Sequence, residues 1–143
     1  MYADGIHVQG AERVKSVNSL ITLPYPGFPT DMQSQMSAML SVADGVSIVS
    51  ETIFENRYKY TCELNRMGAN MRVSGKTLVI NGVKELSPAQ MYAQDLRGGA
   101  SLVIAALAAE GKSFVHDIYH IERGYEDFDK RIRSLGGSIK KID

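Results

Sequence analysis

Acidic residues and arginines stand at matching points of two similar stretches of the chain. Asp31 and Asp95 lie 64 residues apart, Arg57 and Arg123 lie 66 apart, and Arg97 follows Asp95 by two. A carboxylate within hydrogen-bond reach of a hydroxyl group can accept its proton. Planar guanidinium groups bind phosphate and carboxylate groups in bidentate fashion. These residue types are therefore candidates for binding an anionic substrate and transferring a proton.

The same residues also have an ordinary structural interpretation. Asp31 or Thr30 can cap a helix, a role worth about 0.5–2 kcal/mol, and the rules for helix starts favour it. Each arginine can instead form a surface ion pair with a neighbouring acid, worth about 0–1 kcal/mol. Those pairs would be Arg57 with Glu55, Arg97 with Asp95 and Arg123 with Glu122.

The composition predicts one soluble globular domain. The chain has 143 residues, 44% of them hydrophobic, and 16 Lys+Arg balance 16 Asp+Glu. Zero net charge disfavours non-specific nucleic-acid binding. Cys62 is the single cysteine, so neither a disulfide nor a zinc framework is predicted and a reducing cytoplasm fits best. The longest apolar run, Ser101–Ala109, is too short for a membrane span, and no targeting segment is predicted.

An internal repeat organises the chain. Residues 30–73 align with residues 94–142, preceded by a leading segment, 1–29. Duplicated supersecondary units of this kind stack to bury a shared core. Besides the acids and arginines, the matching landmarks are Ala43 with Ala109, Gly45 with Gly111, and Gly68 with Gly136.

Each copy is predicted to be a β-α-β-α-β unit, which gives an α/β (α+β) fold class. The predicted helix faces are Met32, Met36, Met39 and Ala43; Tyr60, Leu64 and Met67; Leu96, Ala100, Val103 and Leu107; and Phe128, Ile132 and Leu135. The predicted strands within the copies are 46–52, 69–73, 112–118 and 138–142.

The segments outside the copies supply further strands and one loop. Val17–Thr22 and Ile6–Val8 are predicted strands, and the three prolines of residues 23–31 predict a rigid loop that positions Asp31. Between the copies, Thr77–Ile80 predicts a strand that ends in a hairpin turn at Asn81-Gly82, and Gln90–Ala93 predicts another strand.

Four separated segments carry a family resemblance: PYPGFPTDMQSQ, ETIFENRYKYTCELNRMGA, AQDLRGGASLVIAALAAEG and IYHIERGYEDFDKRIRSLGG. In this order they resemble the C-terminal portion of bacterial UDP-N-acetylglucosamine 1-carboxyvinyltransferases, which are enolpyruvyl transferases. The resemblance covers nearly the whole chain from Pro24 onward. The related shikimate-pathway transferases, kept as an alternative, would show a Lys-Glu-(x)-Asp-Arg-type segment where this chain has residues 121–125, Ile-Glu-Arg-Gly-Tyr.

The resemblance implies a fold of two similar domains, each an inside-out α/β barrel of three units. With two units, this chain is expected to be a fragment of one such domain. The implied reaction moves an enolpyruvyl group from phosphoenolpyruvate to the 3-hydroxyl of UDP-N-acetylglucosamine and releases phosphate, the first committed step of peptidoglycan synthesis. The resemblance implies no metal or organic cofactor.

The resemblance also assigns roles to individual residues. It makes Asp31 the candidate for accepting the hydroxyl proton and reverses the preference for a helix cap. It places Arg57, Arg97 and Arg123 near the anionic substrates, with Arg123 counted as catalytic, and lets Asp95 orient Arg97 or cap the next helix. Ile53 matches a position where the backbone meets the nucleotide sugar.

Three other signals are set aside on their chemistry. Gly111-Lys112-Ser113 lacks the earlier glycine of a P-loop, and His116, His120 and Glu122 lack a fourth metal ligand. Cys62 is expected to be a core or boundary residue and does not match the reactive loop cysteine of the family.

Because the family's opposing domain is absent, the chain is expected to be catalytically silent alone. The alternative is a non-catalytic binding or assembly module that self-associates through its uncovered edge.

Overall fold

The computed structural model describes residues 5–142 and places most elements where the sequence pattern predicts them. The strands are β1 (Leu20–Ile21), β2 (Val46–Ser50), β3 (Asn70–Ser74), β4 (Thr77–Asn81), β5 (Gln90–Tyr92) and β6 (Phe114–His116). The helices are a 3-10 helix (Thr30–Met32), α1 (Gln33–Leu40), α2 (Tyr60–Arg66), α3 (Leu96–Ala108), α4 (Tyr119–Glu122) and α5 (Phe128–Ser134). The fold is mixed α/β, as predicted.

The larger sheet has the strand order β1-β2-β4-β3. β1 runs parallel to β2, whereas β4 is antiparallel to both β2 and β3. Alternate residues of a strand point to opposite faces, so Val49, Leu78, Ile80 and Met71 are buried while Ile48 is 39% exposed. The buried face joins Tyr60, Leu64 and Met67 of the α2 region in the main core.

The second sheet consists of β5 and β6, which are parallel. Parallel neighbours need a crossover connection, and α3 supplies it, just as α1 connects β1 to β2. α3 packs against α1, α2 and α4. Its last predicted core residue, Leu107, is 41% exposed.

The buried face of α1 differs from the predicted methionine stripe. Met32 and Met39 are 52% and 37% exposed, whereas Ala43 is buried as predicted. The buried residues of α1 are Gln33, Ser34, Ser37, Ala38 and Leu40. Met36 is partly buried and packs against the main core as predicted, whereas the most buried face of α1 carries mainly small side chains, which let it approach α3 closely.

The predicted turn between β4 and the next strand is wrong. β3 and β4 form the hairpin, with Ser74 opposite Thr77, so the two-residue turn is Gly75-Lys76 and not Asn81-Gly82. Gly75 has a φ of +57°, a conformation that glycine adopts without strain. Gly82 has another function, because a Cβ there would lie 1.8 Å from the carbonyl oxygen of Ala43.

The second copy ends differently from the prediction. The predicted helix with Phe128 and Ile132 is α5, but a further short helix, α4, precedes it and Leu135 is 85% exposed. Residues 138–142 form no strand. Their counterpart β3 is paired with β4, whereas residues 138–142 have no neighbouring strand within the described chain, and an unpaired strand leaves its backbone groups unsatisfied.

The leading segment contributes less sheet than predicted. Ile6 and Val8 are 93% and 81% exposed and belong to no strand, because nothing in the described chain pairs with them. Of the strand predicted from Val17 to Thr22, only Leu20 and Ile21 form β1. Thr22 forms an isolated bridge with Phe28, and Lys15, ahead of the predicted strand, forms one with Asp44.

Among residues 5–142, no helix is long and apolar enough to cross a membrane.

The close approach at Gly82 gives a test of this packing. We expect Gly82→Ala to lower the free energy of unfolding by about 1–3 kcal/mol, because the added methyl group must displace backbone. Gly10→Ala is the matched control, since a Cβ there meets nothing within 4 Å, and it should change stability by less than about 0.5 kcal/mol. Urea unfolding measures both variants, and equal stabilities would contradict the observed packing.

Candidate active site

A closed loop positions Asp31 ahead of α1. The Leu23 amide donates to the Phe28 carbonyl at 3.0 Å, and the Gly27 amide donates to the Pro24 carbonyl at 2.8 Å. The loop leads directly into the 3-10 helix Thr30–Met32, which presents the Asp31 side chain 54% exposed. The proline-rich loop therefore holds Asp31 at the surface in a defined place.

Asp31 binds two arginines that are distant in the sequence. Nη2 of Arg57 donates to Oδ1 at 2.8 Å, and Nη2 of Arg97 donates to Oδ2 at 2.9 Å. The neighbouring-acid pairings for these two arginines are therefore wrong. The capping alternative is wrong as well, because neither Thr30 nor Asp31 makes a side-chain cap hydrogen bond to the helix.

The two arginines keep Asp31 ionised. The hydrogen bond from Arg97, followed by that from Arg57, holds the pKa of the Asp31 carboxyl below its ordinary value of 3.8, against a weaker opposing effect of burial. A carboxylate with a lowered pKa is a weak general base. In this arrangement Asp31 is suited to accepting a hydrogen bond from a hydroxyl group and to holding two guanidinium groups side by side.

Aromatic side chains hold the arginines in turn. The Arg57 guanidinium lies over the Phe54 ring at 4.7 Å from its centroid, and that of Arg97 lies over Tyr125 at 5.2 Å. Nη1 of Arg97 also donates to the Tyr125 hydroxyl at 2.8 Å. Sequence reasoning did not single out Phe54 or Tyr125, although each stands within three positions of a predicted site arginine.

Arg123 faces the same depression in the surface as the Asp31 cluster. The depression has a volume of about 350 Å³. Its lining residues are Asp31, Phe54, Glu55, Asn56, Arg57, Lys59, Asp95, Leu96, Arg97 and Arg123. The structure thus brings five of the six predicted site residues together, with four cationic and three acidic side chains around one depression.

Arg123 and Lys59 are the cations of this depression that remain available to a ligand. Neither makes a side-chain hydrogen bond or ion pair with the residues 5–142 that the structure describes. The predicted pairing of Arg123 with Glu122 is wrong, because Glu122 binds Lys141 instead. Arg57 and Arg123 each follow the last residue of a parallel strand, β2 or β6, by seven positions.

Asp95 and Ile53 have different positions. Asp95 caps α3, since its Oδ1 accepts a hydrogen bond from the Gly98 amide at 2.7 Å. Ile53 does not line the depression; it is 42% exposed in the turn that precedes Arg57. The structure therefore joins Asp95 to the Asp31 cluster through the start of α3 and leaves Ile53 beside it.

The remaining chemical signals lie away from the depression. Cys62 is exposed on α2, so the expectation of a core or boundary position is wrong. His116 stacks on Tyr92 with ring centroids 4.8 Å apart. No group of three or more His, Cys, Asp or Glu residues within the described range could hold a metal ion.

Comparison with known proteins gives the same family by sequence and by structure. A family model described as EPSP synthase (3-phosphoshikimate 1-carboxyvinyltransferase) matches residues 3–132. UDP-N-acetylglucosamine 1-carboxyvinyltransferase 2 of Caldanaerobacter subterraneus subsp. tengcongensis is 52% identical over 139 residues, which cover 97% of this chain and 33% of that protein. The chain thus spans about a third of the length of this relative.

Solved structures share the fold. The enolpyruvyl transferase NikO from Streptomyces tendae superposes with a TM-score of 0.78 at 25% identity, covering 89% of this chain and 29% of that one. EPSP synthase from Acinetobacter baumannii superposes with a TM-score of 0.61 at 22% identity, covering 79% of this chain and 27% of that one. The second likeness concerns the fold alone.

The Asp31 cluster gives a prediction about ionisation. We expect Arg97→Gln to raise the pKa of Asp31 toward its ordinary value, and Arg57→Gln to raise it less, because the Arg97 hydrogen bond is the larger cause of the lowering. The measurement is the pH dependence of the Asp31 carboxyl carbon shift. Arg123→Gln is the control, since Arg123 shares the depression without binding Asp31. An identical midpoint in all four proteins would contradict the cluster.

Proposed function

Because this chain belongs to the enolpyruvyl transferase family, we propose that it forms one wall of a site that transfers enolpyruvyl from phosphoenolpyruvate to the 3-hydroxyl of UDP-N-acetylglucosamine. The observation that carries the proposal is the Asp31 carboxylate, held between Arg57 and Arg97 beside the unpaired cation of Arg123. The substrate is chosen from the 52% identical relative, whose printed name specifies UDP-N-acetylglucosamine.

The charges of the depression suit the proposed substrates. Phosphoenolpyruvate carries a phosphate and a carboxylate, and guanidinium groups bind both through paired hydrogen bonds. Arg123 and Lys59 are available for such an anion without breaking an ion pair. Arg57 and Arg97 keep donors beyond the ones that bind Asp31, because a guanidinium has five N–H groups. In this proposal Arg123 contacts the reacting phosphoenolpyruvate, and the other two arginines bind charge around it.

Asp31 accepts a hydrogen bond from the substrate hydroxyl in this proposal. The 3-hydroxyl of the sugar donates to the carboxylate, which aims the oxygen at the enol carbon. When the oxygen adds to that carbon, the hydroxyl loses its proton and the CH2 carbon of the enol takes up a proton to become a methyl group. Elimination then removes a proton from that methyl group together with phosphate, which restores the double bond of the transferred enolpyruvyl group. An anion that draws Arg97 or Arg57 toward itself weakens their hold on Asp31, raises the pKa of its carboxyl and makes it a better base. Substrate binding and base strength are thereby coupled.

The remaining residues orient the cluster. Asp95 fixes the start of α3 and so the position of Arg97. Ile53, which is 42% exposed, is the proposed contact with the nucleotide sugar. In this proposal residues 30–73 and 94–142 are the two units of one incomplete domain, and residues 1–29 lead into it. A second domain supplies the rest of the enzyme. The whole enzyme is proposed to be cytoplasmic, to act in peptidoglycan synthesis and to need no metal or organic cofactor.

The binding prediction uses UDP-N-acetylglucosamine added to the 143-residue chain. We expect saturable amide shift changes at Thr30, Asp31, Ile53 and Arg57. They should disappear in Asp31→Ala and persist in Asp44→Ala, a matched exposed acid that pairs with Arg13 outside the depression. A well-dispersed spectrum without changes up to millimolar ligand would reject the nucleotide-sugar site and favour the assembly module. Measurable turnover of UDP-N-acetylglucosamine and phosphoenolpyruvate by the pure chain would contradict the expectation that the chain alone is inactive.

Phosphoenolpyruvate binding gives a separate prediction for Arg123. Arg123→Gln should weaken it by about tenfold, because a charge-assisted hydrogen bond is worth roughly 1.5–3 kcal/mol and solvent screens part of it. Arg72→Gln removes an exposed cation of β3 outside the depression and should leave the affinity unchanged. Isothermal titration at two salt concentrations measures both, and equal affinities in the two variants would exclude Arg123 from the anion site.

A further inference from the structure

Glu51 is a buried acid immediately beyond β2 that the proposed chemistry does not use. Its residue is only 1% exposed. A buried carboxylate is strongly destabilising unless hydrogen bonds replace the water it has lost. Glu51 therefore requires an explanation in terms of its partners.

Four donors converge on the two oxygens of Glu51. Oε1 accepts from the Thr22 hydroxyl at 2.8 Å and from the backbone amides of Ile53 and Phe54 at 2.9 and 3.1 Å. Oε2 accepts from the Thr30 hydroxyl at 2.8 Å. One side chain thus joins the residue that follows β1, the 53–54 turn and the 3-10 helix.

Two of these three segments carry the candidate site. Thr30 is adjacent to Asp31, and the turn contains Ile53 as well as Phe54, whose ring lies under Arg57. Thr22 belongs to the closing bridge of the loop that leads to Asp31. Glu51 therefore links the segment that carries Asp31 to the turn that precedes Arg57, and it does not line the depression.

We propose that Glu51 is a positioning residue, which sets the place of Asp31 through Thr30 and the place of the 53–57 turn through two backbone amides. Its importance for catalysis rests on the proposed function, whereas its effect on the Asp31 cluster does not. The two points at which the proposed function places one nucleotide sugar, its 3-hydroxyl on Asp31 and its contact at Ile53, would then be held at a separation that this one side chain determines.

An ionised carboxylate is the side chain that fits this place. All four partners are donors, and a carboxylate is an acceptor only, whereas the amide of Gln brings two donors of its own. Burial is the largest single influence on Glu51 and opposes its ionisation, but the four hydrogen bonds together outweigh it and the pKa of the carboxyl is lowered. Asp would be one methylene group too short to reach the same donors.

The experiment separates positioning from plain stability by removing one hydrogen bond at a time. Thr30→Val deletes the bond to Oε2 and leaves the other three. Thr61→Val is the matched control, because it deletes a buried hydrogen bond of 2.7 Å from the Thr61 hydroxyl of α2 to the Tyr58 carbonyl just before that helix. Thr30→Ser restores the hydroxyl. The readouts are the free energy of unfolding and the titration midpoint of the Asp31 carboxyl, both without ligand.

We expect Thr30→Val and Thr61→Val to lose similar stability, while only Thr30→Val moves the Asp31 midpoint upward toward its ordinary value. Thr30→Ser should keep the wild-type midpoint. If Thr30→Val leaves the midpoint where the wild-type protein has it, or if Thr61→Val moves it equally, Glu51 is merely structural and the proposal is overturned.

Glu51→Gln repeats the test from the other end of the hydrogen bond and replaces Thr30→Val should that variant not fold. Loss of a negative charge alone lowers the pKa of a neighbouring acid, whereas loss of positioning weakens the arginine contacts and raises it. An upward midpoint therefore supports the proposal, and a downward or unchanged one overturns it.

The final arm distinguishes this proposal from the proposed function. UDP-N-acetylglucosamine is titrated into the wild-type protein and Thr30→Val. Weaker binding by the variant supports both proposals. A shifted Asp31 midpoint with no binding to the wild-type protein supports the role of Glu51 and rejects the substrate. Equal binding by both, with a shifted midpoint, overturns the catalytic importance of Glu51.

Discussion

Close packing of α1 against α3 is the contact on which the rest of this structure depends. The buried residues of both helices are mostly small, including Ser34, Ser37 and Ala38 on α1 and Gly98 and Gly99 on α3. On its other side the start of α3 packs just as closely on α4, because a Cβ at Gly99 would lie 2.7 Å from Ile121. The packing of α1 on α3 sets the starts of the two helices side by side, and the Asp31–Arg97 pair forms there.

The Asp31 cluster shows how such a scaffold can hold several charged side chains close together in fixed orientations. Four cations and three acids line one depression, but the two arginines that touch Asp31 are also held by aromatic rings. Stacking and hydrogen bonding restrict each guanidinium to one orientation, which reduces the entropy that a ligand must overcome on binding. Buried Glu51 extends the same principle below the surface, because its four hydrogen bonds hold the segments that carry the cluster.

Much of this arrangement could be predicted from residue types and spacing. The strands β2, β4 and β5, the helices α2 and α3, and the gathering of Asp31, Arg57, Arg97, Arg123 and Asp95 follow from apolar periodicity, the repeat and the family resemblance. The local sequence patterns gave wrong predictions where the burial of a segment depends on the element packed against it. The predicted stripe of Met32, Met36, Met39 and Ala43 is an apolar face at helical spacing, yet only Met36 and Ala43 pack against the core, because the face of α1 that approaches α3 carries mainly small side chains.

The amino-acid sequence alone determined the residue types of the site and their equivalent places in the two copies, because a duplicated unit repeats its chemistry at the same distance from its strands. The three-dimensional fold decided which charges meet. Asp31 binds Arg97 because α1 and α3 pack together, whereas the Asp95 cap spans three residues and could be predicted from the local sequence. Pairings across 66 residues depend on the positions of whole helices. Those positions result from packing over the entire core, and no short stretch of sequence contains that information.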